Sequence, residues 1–307
     1  MKTVATLKAL TLAVISLLVM LMGACGGGGA QNGGNGNSGK IAVGSKNFTE
    51  NILLAHMMAI LIEENTDLQV DRKVNLGGSN VAWQALLNND IQLYPDYTGT
   101  IVANYYQEET GDAEETLRKA QELVKRDNLK FLEPWGFNNT YTLAVKRELA
   151  EELGLNTYSD LAKVSDRLVI GSEFEFLDRP DGLPGLKGVY GMNFADERGM
   201  DAGLRYPSIE EGKVDVINAF ATDGMLVVFQ LKILEDDKSF FPPYHGAPIV
   251  RQDMLDKYPE VEELLNRLAG KIDDETMQAL NAKVDAEGLK EEDVAREFLV
   301  ELGLIDG

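Results

Sequence analysis

The sequence has little of the two residues that most often carry catalysis or bind metals. Among 307 residues there is one cysteine, Cys25, and there are two histidines, His56 and His245, far apart along the chain. A single cysteine cannot form an internal disulfide. The sequence also lacks the HExxH, GxSxG, GxGxxG and P-loop motifs. It therefore predicts no enzyme, no cofactor and no metal site.

Basic residues are also scarce. The chain has 29 Lys and Arg against 50 Asp and Glu, which gives a net charge of −21. Binding to nucleic acid needs basic patches that neutralise phosphates, so this balance argues against a nucleic-acid partner. The simplest interpretation is a solvated acidic surface that keeps the protein soluble and monomeric.

Long apolar runs are missing except at the N-terminus. Residues 10–22 are apolar and follow two lysines, and the run is too short for a membrane span but typical of an export signal. The run ends in "LMGAC", which resembles a bacterial lipobox with Met22 where Leu is more usual. This predicts a signal peptide over residues 1–24 and lipidation of Cys25; plain secretion with an incidental cysteine is the alternative.

A Gly-rich segment follows the cysteine. Residues 25–39 read "CGGGGAQNGGNGNSG", a composition with nothing to bury and the character of a flexible tether. A Gly-rich chain of this length has a root-mean-square reach of roughly 20 Å. The sequence therefore predicts a soluble body held by lipid to the outer face of the cytoplasmic membrane or in the periplasm.

From Lys40 onward, short β-branched runs alternate with amphipathic runs at helical spacing. One predicted helix covers residues 48–64, with Thr49 as its N-cap. This alternation predicts an α/β fold with parallel sheets. From Lys257 to the end, the apolar spacing instead predicts a segment that is nearly all helix.

Several polar or aromatic residues stand where predicted strands end. Lys46 follows the first strand in "GSKNFTE", and Thr100 follows a later one in "YPDYTGT". Ligands of open α/β sheets bind beyond the carboxyl ends of strands, and a lysine beside a helix N-terminus favours an anion there. Phe220, in "NAFATDG", ends another predicted strand, and Tyr141, in "NNTYTLAV", stands at the entry to the mid-chain strand.

Five motifs in order extend the pattern over nearly the whole chain after Lys40. They are "GSKNFTE", "YPDYTGT", "NNTYTLAV", "VDVINAFATDG" and "DDKSFFPPYHGAPIVR". In sequence and spacing they resemble the substrate-binding lipoproteins of ABC importers for glycine betaine, proline betaine, carnitine and choline. The resemblance implies the two-lobed type II fold of periplasmic binding proteins, with a helical C-terminal segment and no enzymatic activity.

The resemblance also implies a binding site for a quaternary ammonium solute. An aromatic box for the ammonium would consist of Tyr97, Tyr141, Phe220 and Tyr244. The ligand carboxylate would be held by Lys46, Thr100 and Arg179, and Asn139 would offer a backbone contact to the cationic end. Relatives often have Tyr where this chain has Phe220, which keeps a π face but loses a hydroxyl.

The implied organisation is two lobes that close on the ligand. Lobe one would comprise residues 40–138 and 244–307, and lobe two residues 139–243. The partners would be the solute and a membrane permease, driven by a separate ATPase. Three alternatives remain open at this stage: a receptor for another small zwitterion or for choline, an exported enzyme of unknown class, and a purely structural lipoprotein.

Overall fold

The structure, a computed structural model, describes residues 39–307, so the predicted signal peptide, Cys25 and nearly all of the predicted tether lie outside the described residues. Within residues 39–307 the chain forms ten strands and thirteen α-helices. The strands are β1 Lys40–Gly44, β2 Gln69–Lys73, β3 Leu93–Tyr97, β4 Leu129–Phe131, β5 Tyr141–Lys146, β6 Val169–Glu173, β7 Asp196–Met200, β8 Val216–Phe220, β9 Leu231–Ile233 and β10 Gly246–Arg251. The helices are α1 Thr49–Asn65, α2 Ser79–Leu87, α3 Ala113–Leu123, α4 Arg147–Leu153, α5 Tyr158–Ala162, α6 Phe174–Asp178, α7 Leu183–Tyr190, α8 Arg205–Glu210, α9 Met225–Val228, α10 Gln252–Lys257, α11 Glu260–Asn266, α12 Asp274–Asp285 and α13 Glu291–Glu301.

The strands form two five-stranded sheets of matching design. The first has the order β2-β1-β3-β10-β4 and the second the order β7-β6-β8-β5-β9. In each sheet the first three strands of this order pair in parallel, as predicted. The prediction of parallel pairing is wrong for β10 and β5, which are antiparallel to both neighbours. Each of these strands follows a connection from the other sheet and enters from the opposite direction.

Helix α1 is the central helix packed against the first sheet. Its residues from Glu50 to Ile62 are almost all buried, because strands lie on one side and helices α11, α12 and α13 on the other. Fully burying one Leu, Ile or Met side chain contributes about 1.5–3 kcal/mol, so this helix is a large part of the core. The prediction of Thr49 as N-cap is wrong: Phe48 occupies the cap position, and the Thr49 hydroxyl donates to Asp285 at 2.5 Å.

The segment from Lys257 onward is helical, as predicted. Helices α10 to α13 follow β10, and α13 packs along α1. None of the helices in residues 39–307 combines the length and apolar character that crossing a bilayer requires.

Two connections between the sheets run side by side. One leads from β4 to β5 and the other from β9 to β10. They are bonded to each other: the Asn139 amide donates to the Tyr244 carbonyl at 3.1 Å, and the Tyr244 amide donates to Asn138 Oδ1 at 2.7 Å. The lobe boundaries at residues 138–139 and 243–244 stay a prediction.

Candidate ligand-binding site

A cavity of about 230 Å³ lies where elements of both sheets meet. The structure brings all eight sequence-predicted site residues into its lining: Lys46, Tyr97, Thr100, Asn139, Tyr141, Arg179, Phe220 and Tyr244. Tyr97 and Phe220 are the last residues of β3 and β8, and Lys46 follows β1 by two positions. The cavity therefore lies at the carboxyl ends of strands, where an open α/β sheet binds its ligands.

A second cavity of about 330 Å³ adjoins the first. Phe48 and Phe220 line both cavities, as do Asn47 and Ala202, and the two rings are stacked with centroids 5.5 Å apart. Of the eight predicted site residues, only Phe220 lines the second cavity. The predicted residues therefore single out the smaller cavity.

The stretch "YPDYTGT" is the end of a strand followed by a helical turn. Strand β3 continues through Pro95 and Asp96 to Tyr97, and a wide helical turn begins at Thr100. Gly99 matters for packing, since a Cβ there would lie 2.7 Å from Cε1 of Tyr244. The glycine lets the Tyr244 ring approach the backbone, and so helps to position one of the predicted box residues.

Five rings form one continuous wall of the cavity, which we call the aromatic wall: Phe48, Tyr97, Tyr141, Phe220 and Tyr244. Tyr141 is its centre, with ring centroids 4.9 Å from Phe220 and 5.5 Å from Tyr244. Phe48 stacks between Phe220 and Tyr97, whose centroid is 6.3 Å away. Sequence reasoning missed Phe48, although its position two residues after Lys46 was a usable signal.

The hydroxyl of Tyr97 is held from behind by a buried carboxyl group. Glu50 Oε1 accepts from Tyr97 at 2.8 Å and from Asn139 Nδ2 at 2.6 Å, while Oε2 accepts from Thr222 at 2.6 Å. Burial raises the pKa of Glu50 to about 7, against the lowering effect of hydrogen bonds from Thr222, Tyr97 and Asn281. The Asn139 side chain therefore faces Glu50, a contact that sequence reasoning missed.

The other end of the cavity is charged and is lined by Lys46, Ser79, Thr100, Glu175 and Arg179. We call these residues, together with Asp96 and Asp181, which contact the two cations, the ionic end. Lys46 Nζ donates to Asp96 at 2.7 Å, and both side chains are buried. Arg179 Nε donates to Asp181 Oδ1 at 2.7 Å, Nη2 contacts the other Asp181 oxygen, and Nη1 donates to Glu175 at 2.6 Å. Thr100 Oγ1 lies 3.5 Å from Arg179 Nη2.

The two ends of the cavity are close together. Lys46 Nζ lies 5.0 Å from the Tyr97 ring centroid, and Arg179 Cζ lies 5.7 Å from that of Tyr141. The Tyr244 hydroxyl donates to Asp181 at 2.7 Å. A ligand that reaches both ends can therefore be short. Among residues 39–307 there is no group of His, Cys, Asp and Glu that could hold a metal ion.

The model of one protein family matches residues 39–301, and its description is the substrate-binding domain of ABC-type glycine betaine transport systems. The chain belongs to this family. Its members are substrate-binding components of transporters, and the type II periplasmic-binding-protein fold predicted from the sequence is confirmed. The family match covers both sheets and all four C-terminal helices.

Individual relatives agree with this assignment. The ergothioneine transport permease/ergothioneine binding protein of Helicobacter pylori is 36% identical over 86% of this chain, which spans 48% of that protein. The glycine-betaine-binding protein of Pseudomonas aeruginosa is 36% identical, over 87% of this chain and 89% of its own. A crystal structure described as a glycine betaine/carnitine/choline ABC transporter matches with a TM-score of 0.70, at 34% identity, over 87% of this chain and 100% of that one.

Proposed function

We propose that the protein captures a small quaternary ammonium zwitterion of the glycine betaine type outside the cytoplasm and delivers it to the permease of an ABC importer. The observation that carries the proposal is the meeting of five aromatic rings and a set of paired charges in one cavity of about 230 Å³. The family and the named relatives support the same ligand class.

The aromatic wall suits a trimethylammonium group. Such a group has no N–H to donate, so it is recognised by π faces and by acceptor oxygens instead of hydrogen bonds. Each good cation–π contact is worth roughly 0.5–2 kcal/mol and gains from exclusion of water. We assign the ammonium to Tyr97, Tyr141, Phe220 and Tyr244, with Phe48 as a fifth ring, and the carboxylate to Lys46, Thr100 and Arg179.

Choline is the second candidate, and a specific observation favours it. The cations Lys46 and Arg179 already contact the carboxylates of Asp96, Asp181 and Glu175. A ligand without a carboxylate would leave these ion pairs undisturbed. The two candidates share the aromatic wall and differ only in their use of the ionic end.

We further propose that ligand binding closes two lobes, residues 40–138 with 244–307 and residues 139–243. The strands of the first sheet all come from the first set, and those of the second sheet from the other. Lys46, Tyr97 and Thr100 then belong to one lobe, and Arg179 and Phe220 to the other. A ligand that contacts both lobes favours the closed form by its differential affinity.

Lipidation of Cys25 and a monomeric state are part of the proposal. Cys25 lies outside the described residues, and the lipobox-like sequence before it is the support. In the bacterium, the wild-type protein should fractionate with membranes, and Cys25→Ser should release it. Membrane association that persists in the Cys25→Ser variant would contradict lipidation at this residue.

Titration calorimetry tests the ligand class. We expect glycine betaine, proline betaine or carnitine to bind, and glycine to fail, because glycine offers the same carboxylate with an ammonium that can hydrogen-bond to water. Tight binding of glycine, or no binding of any quaternary ammonium compound, would overturn the proposal. A rise in melting temperature with ligand concentration gives an independent reading.

A further inference from the structure

The ionic end holds more carboxylates than cations. Its two cations, Lys46 and Arg179, are in contact with three carboxylates, those of Asp96, Asp181 and Glu175. A binding site built only to hold a ligand carboxylate would leave positive charge uncompensated. The excess of acid at this end therefore needs an explanation of its own.

Two of the three carboxylates are fixed parts of the framework. Asp96 accepts from Lys46 and from the hydroxyls of Tyr94 and Tyr105, and its side chain is 0% exposed. Asp181 is two residues from Arg179, is held by two guanidinium nitrogens, and is 6% exposed. Neither carboxylate can leave without stranding buried partners.

Glu175 differs from both. It lies on α6, beside the second sheet, and reaches across the cavity to α2, beside the first. Its Oε2 accepts from the backbone amide of Ser79, the first residue of α2, at 2.8 Å, while Oε1 accepts from Arg179 Nη1 at 2.6 Å. The Glu175 side chain is 22% exposed, so it has room to move.

The groups that hold Glu175 are the groups that a ligand carboxylate would seek. They are the backbone amide of Ser79 at a helix start, a guanidinium and the nearby Lys46 charge, all lining the cavity. Gly78 leaves the space, because a Cβ there would lie 2.6 Å from Glu175 Oε2. Burial acts to raise the pKa of Glu175, but Arg179, Lys46 and Ser79 outweigh it and lower the pKa to about 2, so the group is an anion at neutral pH.

We propose that Glu175 sets ligand choice by competing with a ligand's carboxylate for the Ser79 amide and Arg179. The inference rests on the proposed function. A betaine must displace Glu175 or share its donors, whereas choline, which is cationic and has no carboxylate, leaves Glu175 in place. Glu175 thus lowers the preference of the site for zwitterions over simple quaternary ammonium cations.

Glycine betaine and choline form the probe pair, because they share the trimethylammonium group and differ chiefly in the carboxylate. Dissociation constants are measured by titration calorimetry for the wild type, Glu175→Gln, Glu175→Ala and Asp178→Asn. We expect both Glu175 variants to bind glycine betaine about tenfold more tightly, since a charged competitor for hydrogen bonds is gone. Choline binding should stay the same or weaken.

Asp178→Asn is the matched control. Asp178 is exposed on the same short helix and does not line the cavity, so its loss changes the net charge equally without freeing Ser79 or Arg179. We expect it to leave the ratio of the two dissociation constants unchanged. An equal shift in Asp178→Asn would overturn the inference in favour of a general charge effect.

Equally weakened binding of both ligands in Glu175→Gln would also overturn the inference, because that result indicates a purely structural role for Glu175. Thermal unfolding without ligand checks that each variant is folded. If the Gln and Ala variants fail to fold, Glu175→Asp replaces them in the test. It keeps the charge but shortens the side chain, and the ratio of the two dissociation constants should still shift toward glycine betaine. Absence of any quaternary ammonium binding to the wild type would refute the proposed function and this inference together; an unchanged ratio in variants that bind would refute only the inference.

Discussion

The aromatic wall and the ionic end occupy one small cavity but are built on different principles. The wall consists of rings that pack mainly on one another, with Tyr141 and Phe220 4.9 Å apart. The ionic end consists of buried charges, each of which needs a named partner, such as Lys46 and Asp96. Under the proposed function, removing a ring costs contacts with the ligand, whereas removing a charge leaves another charge unpaired in the interior. Affinity should therefore depend on the wall, and stability and ligand choice on the ionic end.

The largest effect should come from breaking the Lys46–Asp96 pair. Lys46→Met leaves the Asp96 carboxylate buried without its cation, and loss of one partner from such a pair typically costs about 3–5 kcal/mol. Asp96 still accepts hydrogen bonds from the Tyr94 and Tyr105 hydroxyls and from the Tyr97 amide. We therefore expect the loss of unfolding free energy to lie near the lower figure. Urea unfolding of Lys46→Met and the wild type measures this loss of stability.

The double variant Lys46→Met/Asp96→Asn is the control for that measurement. It removes both charges, so part of the lost stability should return. A single variant as stable as the wild type would show that the ionic end is not held together by this pair.

A pH titration of stability probes the carboxyl group behind the wall. Burial raises the pKa of Glu50 from 4.5 to about 7, so the native state keeps a proton that the unfolded chain releases over that interval. The unfolding free energy should therefore fall by about 3 kcal/mol as the pH rises from about 4.5 to 7, and then level off. Glu50→Gln cannot titrate, and its stability curve should lack this fall. Parallel curves for the two proteins would contradict the assignment.

Loss of the central ring should weaken all quaternary ammonium ligands alike. Tyr141→Ala removes the ring that contacts Phe220 and Tyr244, and we expect about a hundredfold weaker binding of both glycine betaine and choline. Tyr141→Phe keeps the ring and should bind within about threefold of the wild type. Calorimetry that showed loss of glycine betaine alone would mean that Tyr141 serves the ionic end.

The smallest effect should be that of Phe220→Tyr. The change adds a hydroxyl while keeping the π face. We expect the dissociation constant for glycine betaine to change by no more than about threefold, since the two faces differ little in strength. A tenfold loss would mean that the wall has no room for the hydroxyl beside Phe48 and Tyr141.

Much of this design was predictable from the sequence because it depends on local pattern. The strand and helix alternation, the helical C-terminus and the position of Lys46 at a strand end all follow from periodicity and turn residues. Seven of the eight site residues lie in the ordered motifs and Arg179 lies outside them, yet all eight converge on one cavity. That they bind the ligand stays a prediction.

What could not be predicted depends on contacts between distant segments. Glu175 and Ser79 are 96 residues apart, and no spacing rule links a carboxylate on one helix to an amide at the start of another. The same holds for Glu50 and Thr222, which are 172 residues apart. Tyr94, which has no predicted role, donates to Asp96. The antiparallel strands were missed because pairing direction depends on the route of the chain between the sheets.

That route has a consequence for how the protein acquires its structure during synthesis. Strand β10, residues Gly246–Arg251, lies between β3 and β4, so the first sheet has a gap in its middle until those residues appear. The second sheet has all its strands once Ile233 has been made. Domains form as units during synthesis, and distant pairings form slowly. The first sheet, which contains the earliest strand of the chain, is therefore completed after the second sheet.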